Sequence, residues 1–443
     1  MKVLHVSAAD TAGGAARAAL RLHRAMLSAG HDSTVLVRNK RSDAPGVVAP
    51  LGRVGRRLAH WRALAGERIS GLLQDPASPS HRSLNVLPSQ GLLAAIERSD
   101  ADVVNLHWIA GETISVEDIG RLRKPVVWTL HDMWAFCGAE HVAPDAPDAR
   151  WRTGYRAGDR PAGSGGLDID RWTWRRKRQA WRTPMQIVCP SGWLADCAAQ
   201  SALMRGWPVS VVPNVLETDR FVPRERHAVR AELGLPQDAI LVLFGAWGGT
   251  GDPNKGFDLL QGALRALAER HRGSRPIACV VIGGSDSDDG SQDWPFPVHR
   301  FGHVGCDQRM AALYAAADVT VVPSRIENLP QMATEALSSG CPVAGFRTGG
   351  LPEAVEDRIC GTLAAPYDPA ALADGIAWIV ADPARHAALG EAARLRALAR
   401  WEATRVLPRY LACYRSAIEV RQGRHRMATQ HIGSIEPSRD LNG

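Results

Sequence analysis

The sequence predicts an α/β protein of two tandem doubly wound, Rossmann-like domains separated by a cleft, and three observations carry that prediction. Short runs of Val, Ile and Leu recur with amphipathic stretches between them, the signature of parallel strands covered on both faces. The pattern stops at Pro213-Asn214-Val215, passes through the charged, turn-rich stretch 217–226, and restarts. With 443 residues the chain exceeds one ordinary core and suits two of about 200 residues each.

In order, the first half offers strands at 3–7, 33–37, 103–107, 126–130, 186–189 and 209–212. The second half offers 240–244, 277–282, 298–301, 319–322, 342–346 and 361–364. The expected division is a first domain at 1–214, a second at 215–395, a helix at 396–420 returning to the first, and a flexible polar tail at 421–443. The stretch 143–166, rich in Pro, Gly, Asp and Arg, reads as a long loop or lid.

Composition narrows the class. A hydrophobic fraction of 45% with 22% charged residues is that of a globular chain. No apolar run reaches the roughly 18 residues of a membrane span, and the N-terminus reads as a first strand rather than a signal peptide. The eight cysteines contain no Cys-x-x-Cys pair, which fits a reducing cytoplasm better than a disulfide or zinc framework. A net charge of +7 calls for an anionic partner, and no nucleic-acid signature accompanies it. At 53–73, Val54, Leu58, Trp61 and Ala65 share a helical face flanked by Arg53, Arg56, Arg57 and Arg62. Such a segment can lie on an anionic membrane surface or pack as a surface helix, and the sequence leaves both open. The basic, Trp-rich stretch 171–181 is expected to pack on the first domain.

Four loops carry candidate chemistry. Ala12-Gly13-Gly14 opens a helix after the first strand, where glycine admits a ligand and helix amides attract phosphate; an ordinary strand–helix turn would look the same. The second strand ends Val37-Arg38-Asn39, without the acidic residue NAD requires, although an arginine could suit NADP. His131-Asp132 ends the strand at 126–130, at the sheet edge where ligands bind, and a structural pair is the alternative. Lys255 follows a Gly-rich loop and can neutralise a diphosphate, or simply be solvated. The most informative segment runs from Ser324 to Leu337. Pro330 suits a first helical position, which puts Glu327 in the loop and Glu335 in the helix. A carboxylate there can accept both hydroxyls of a ribose, or merely complement the helix dipole. Gly349-Gly350-Leu351-Pro352-Glu353 adds another loop-to-helix turn in the same half.

With these residues in view, the chain resembles family-four glycosyltransferases of the GT-B fold, and within them the branch that builds colanic-acid-like exopolysaccharides. The resemblance rests on GGAARAAL, NLHW, TLHDMWAFCG, RWTWRRKRQAW, PSGWLAD, VPNVLETDRF, NKGFDLL and ENLPQMATEALSSGCPVAGF, in order over residues 1–415. It implies a retaining hexosyl transfer from a UDP- or GDP-sugar to a hydroxyl of a glycan or lipid-linked glycan, without metal or other cofactor. It implies catalytic roles for His131 and Glu327. Gly13, Gly14, Lys255, Val304, Asn328, Leu329 and Glu335 would bind the donor, with Glu335 on the ribose. The expected setting is cytoplasmic, with peripheral contact to the inner face of the plasma membrane. Two departures stand out: Ala246 replaces an arginine that many members pair with the lysine, and 143–166 replaces a cysteine-rich stretch. A non-catalytic module binding sugar nucleotide and a nucleotide-sugar epimerase are the rival readings.

Overall fold

The computed structural model describes residues 1–50, 81–89, 91–161, 164–245, 252–270, 275–283 and 294–433, together with 61, 64–66, 68–69, 71, 73 and 273; side chains are described to 423. Most of the basic segment 53–73, and Ala246, lie outside the described residues.

Two parallel sheets organise the chain. The first contains β1 (Lys2–Ala9), β2 (Asp32–Asn39), β3 (Val47–Val48), β4 (Val103–Leu106), β5 (Val126–Thr129), β6 (Gln186–Cys189) and β7 (Val209–Val211), in the order β3-β2-β1-β4-β5-β6-β7. The second contains β8 (Ile240–Gly245), β9 (Ile277–Ile282), β10 (Val298–Arg300), β11 (Val319–Val322), β12 (Val343–Phe346) and β13 (Gly361–Ala364), in the order β10-β9-β8-β11-β12-β13. Every described pairing within them is parallel, and β4, β5, β6, β9, β11, β12 and β13 are buried along their whole length. That is why their apolar runs show no alternation. The short edge strand β3 was not expected: two valines are too few to register as a run.

The helices bearing on the site are α1 (Gly13–Ser28), α2 (Ile169–Ala180), α3 (Gly192–Gln200), α4 (Phe257–Arg270), α5 (Asp307–Ala316), α6 (Gln331–Ser338), α7 (Pro383–Trp401) and α8 (Ala403–Gly433). Helix α8 lies on the first sheet, where Val406, Tyr410 and Tyr414 join Val3, Val103, Val127 and Val188 in one core. The outward and return crossings between the sheets touch: Leu216 N–H donates to Trp401 O at 2.9 Å. The polar stretch from 421, expected to be loose, continues α8 to Gly433. Arg421, Gln422 and Arg424 are strong helix formers and extend a helix already nucleated by packing; residues 434–443 lie outside the described residues.

The described part of the stretch 143–166 is held by specific contacts. Trp151 and Tyr155 are buried, Trp151 Nε1 donates to Pro144 O at 3.0 Å, and Arg150 pairs with Asp159 and Asp168. Helix α2 packs on the first sheet's core through Trp174. Its buried Lys177 donates to the carbonyls of Trp134, Cys137 and Gly138, bracing the loop that follows His131-Asp132.

In each sheet the strand order reverses once, between β1 and β4 and between β8 and β11. Ligands of open α/β sheets bind outside the carboxyl ends of strands at such reversals. Here the two reversal points share one cleft.

Candidate active site

The cleft has a volume of about 640 Å³ and is lined from both halves. The first contributes Gly13, Gly14, Arg17 and His131; the second contributes Lys255, Val304, Tyr314, Glu327, Asn328, Leu329 and Glu335, among others. All nine residues singled out from the sequence therefore reach one cavity.

Helix α1 begins at this cavity. Gly13 adopts φ +85°, a conformation side chains resist, so the turn from β1 into the helix needs glycine there. No side chain caps the helix, so its amino end presents backbone amides. Gly14 O accepts from Gln331 Nε2, and Arg17 Nη2 donates to Val304 O at 3.1 Å, tying α1 to the opposite half.

Lys255 and Glu327 lie on different loops and meet at 2.5 Å. Three contacts fix that meeting. Gly256, at φ +67°, lets the chain pass so close to Pro323 O that a Cβ would stand 2.0 Å from it. Asn254 exchanges hydrogen bonds with Ile326, its Nδ2 donating at 2.8 Å and its Oδ1 accepting at 3.1 Å. Ser324 Oγ donates to Glu327 Oε1 at 3.1 Å. The Glu327 carboxylate raises the Lys255 pKa above its ordinary value, outweighing burial, so the ammonium persists at neutral pH.

Glu335, in α6, is 2% exposed. Tyr314 Oη donates to its Oε2 at 2.9 Å, and Arg21 Nη2 of α1 stands 2.8 Å from its Oε1. The latter approach lies off the N–H direction, so the contact is an ion pair rather than a linear hydrogen bond. Asp307 and Glu217 also face Arg21, at 3.5 and 3.8 Å. Burial disfavours the Arg21 charge, but Glu335 and then Asp307 more than compensate and raise its pKa.

Asn328 bridges the halves: Ser191 Oγ donates to its Oδ1 at 2.7 Å, and its Nδ2 approaches Leu130 O at 3.4 Å. Beside it, Glu353 accepts from the Gly192 and Trp193 amides at the start of α3, at 2.7 and 2.9 Å. The Gly349-Gly350 turn thus serves interdomain contact as well as the loop below it. Leu329 and Val304 are buried, packed in the second half's core while edging the cavity.

His131 is held by a neighbour just past the adjacent strand β4, its Nε2 lying 3.1 Å from His107 Nδ1. Burial lowers its pKa to about 4, so the ring is neutral near pH 7. Asp132 turns away from it, accepting from Trp108 Nε1 at 2.9 Å and pairing with His141 Nδ1 at 2.6 Å. The sequence alone did not point to Arg17, Arg21, Tyr314, Ser191 or His107. One signal was present for the arginines: they sit four apart on a helix otherwise facing inward with Ala and Leu.

The fold and the cleft together define a two-domain α/β scaffold with its site between the halves, and similarity to known proteins supplies its class. Residues 12–220 match the family described as Glycosyltransferase Family 4, and residues 226–396 match Glycosyl transferases group 1. A D-inositol 3-phosphate glycosyltransferase of Catenulispora acidiphila is 35% identical over 73% of this chain and 74% of its own length. One from Acidothermus cellulolyticus is 28% identical over 97% and 91%. With the one from Saccharomonospora viridis, 34% identical, the match spans 48% of this chain and about half (51%) of the relative. In fold the chain is similar to sucrose-phosphate synthase of Thermosynechococcus elongatus, with a TM-score of 0.65, 18% identity and coverage of 95% and 100%. It is also similar to Anabaena HepE, solved with UDP-glucose, with a TM-score of 0.62, 16% identity and coverage of 96% and 100%. The chain belongs to the family-four, group-one glycosyltransferases and has the GT-B fold. The relatives named here carry inositol-phosphate names, not those of the exopolysaccharide branch that the motifs suggested.

Proposed function

We propose that this glycosyltransferase moves a hexosyl group from a nucleoside diphosphate sugar to an acceptor hydroxyl with retention at the anomeric carbon and without a metal ion. The observation that carries the reading is the Lys255–Glu327 pair set in the same cleft as the buried Glu335 carboxylate. Glu335 accepts the ribose hydroxyls. Arg21 and Tyr314 orient it and leave each oxygen a further lone pair. Lys255 and the amides at the start of α1 and in the 327–329 loop stabilise the departing diphosphate. Arg17 adds a second cation in the cavity, a task the residue at 246, an alanine, cannot perform. Glu327 and His131 contact the sugar. The acceptor hydroxyl attacks from the face the diphosphate leaves, and the leaving phosphate takes its proton. Residues 1–214 hold the acceptor and 215–395 the donor.

HepE was solved with UDP-glucose in the same fold, which supports a UDP-sugar donor. For the acceptor, the motifs favour a glycan or lipid-linked glycan at the inner membrane face, and the relatives' names favour an inositol phosphate. Purified protein offered UDP-, GDP- and ADP-sugars, with and without inositol 3-phosphate or glycan acceptors, should release nucleoside diphosphate with one donor. Product NMR should show the donor's anomeric configuration, and EDTA should leave the rate unchanged. Nucleotide binding with no transfer across the panel would favour a binding module.

A further inference from the structure

Three imidazoles, those of His5 and His107 buried and that of His131 partly exposed, form a line across the first sheet. His5 Nδ1 lies 3.1 Å from His107 Nε2, and His107 Nδ1 lies 3.1 Å from His131 Nε2. The line follows from the sheet: β1 and β4 pair His5 with Asn105, so His107, two residues on, shares the face of His5. Both rings are buried, and His131 at the far end lines the cleft.

Each link needs one proton, so neutral rings must all point the same way along the line. If protons ran inward, His131 Nε2–H would donate to His107, His107 Nε2–H would donate to His5, and His5 would end on an Nε2–H. The Nε2 of His5 is buried with no hydrogen-bond partner. A buried orphan N–H is rarer than a bare acceptor, so the outward direction is favoured. The neighbouring His23 does not reverse this. Its Nε2 faces Pro45 O at 2.9 Å, an acceptor, and its Nδ1 is taken by Ser33 Oγ at 2.7 Å, so it has no hydrogen bond to offer His5.

We infer that His5 and His107 are positioning residues that fix His131 as its Nδ1–H tautomer, presenting a hydrogen-bond donor to an oxygen of the sugar or phosphate in the cleft. His131 Nδ1 is the nitrogen with no protein partner among the described residues. Burial keeps all three rings neutral near pH 7, so this donor is a neutral imidazole and the line does not break by charging. The inference rests on the proposed role of His131 only for its consequence in catalysis; the tautomer itself is independent of it.

Long-range ¹H–¹⁵N correlation of the histidine rings in the full chain, assigned with single-histidine variants, reads the tautomer directly. His131 should be protonated at Nδ1 in the wild-type protein. His107→Leu should shift it toward a tautomer mixture and lower kcat about tenfold with little change in donor KM. His107→Asn, whose amide nitrogen can stand where Nδ1 stood, should restore both. An Nε2–H tautomer in the wild type, or a tautomer unmoved by His107→Leu, overturns the inference. If the tautomer responds as described while His131→Ala retains full activity, the inference stands and the catalytic role of His131 fails.

Discussion

Arg21 of α1 and Glu335 of α6, separated by 314 positions in the chain (335 − 21), face each other at 2.8 Å across the cleft. Arg21 is 3% and Glu335 2% exposed, and Glu335 is the nearest opposite charge offsetting the burial of Arg21. Removing one partner of a buried pair typically costs about 3–5 kcal/mol because the charge left behind loses its nearest counter-charge. Arg21→Ala should therefore lower stability by an amount in that range, read as a shift in urea midpoint. Arg21→Met combined with Glu335→Leu should recover most of the loss while abolishing nucleotide binding. A double variant that still binds UDP and GDP normally would remove Glu335 from the donor site.

Glu335→Gln isolates the recognition step. It keeps the shape but halves the acceptor capacity of the group, and hydrogen bonds to charged groups are worth about 1.5–3 kcal/mol each. Affinity for the nucleoside diphosphate should fall about 10- to 100-fold by calorimetry, with the effect much smaller for inorganic diphosphate, which has no ribose. Equal losses for both ligands would place the carboxylate's influence on phosphate instead.

At Lys255 the balance is reversed. Its pair with Glu327 is less deeply buried, with side chains at 28% and 18%, so breaking it should cost less than the roughly 3–5 kcal/mol of a fully buried pair. A preorganised cation on a leaving diphosphate is worth far more to the rate, about 10²- to 10³-fold for a single donor of this kind. Lys255→Ala should lower the melting temperature less than Arg21→Ala does, while kcat falls by that factor. A comparable loss of folding would mean the lysine is structural.

Much of this arrangement was legible in the sequence because it depends on local pattern. Buried parallel strands read as unbroken apolar runs, and loops after β1, β5, β8 and β11 are where a doubly wound sheet places ligands. Gly13, Lys255, Glu327 and Glu335 could therefore be named from position. What could not be read depends on how the two halves meet. Arg21 looks like an ordinary helix residue until α6 lies against it, and Ser191 looks like the N-cap it also is until Asn328 arrives. The helix over 421–433 was not legible for a related reason: its sequence is polar, and the packing of α8 upstream makes continued helix favourable.

Two glycines on the loop before Leu351 support the 327–329 segment by leaving space. A Cβ on Gly350 would stand 1.6 Å from Asn328 O, and one on Gly349, at φ +53°, would stand 2.2 Å from Glu327 O. Neither oxygen is on a flexible side chain, so backbone must move. Gly350→Ala should displace Glu327 from Lys255, cost at least about 1–3 kcal/mol as overpacking does, and reduce kcat. Gly423→Ala, in the open on α8, is the control and should lower neither stability nor kcat. A Gly350→Ala protein of full activity would show that this loop tolerates displacement.

The histidine line makes stability sensitive to mild acid. His5 is held at about 3 and His131 at about 4, and His107 well below its ordinary value, chiefly because burial disfavours the imidazolium. For a base with a depressed folded pKa, the unfolded chain binds more protons between the two values. The stabilisation is thus complete above about 6.5, the unfolded value, and is lost as pH falls toward the folded ones. Each group can remove up to about 1.4 kcal/mol per pH unit in that window. Urea midpoints should hold steady from pH 8 to 7 and then drop between pH 6.5 and 4. His5→Phe, which keeps the buried volume without a titrating group, should shallow that slope. Midpoints that stay level to pH 5 in the wild type would show that these rings accept protons in the folded state as readily as in the unfolded one.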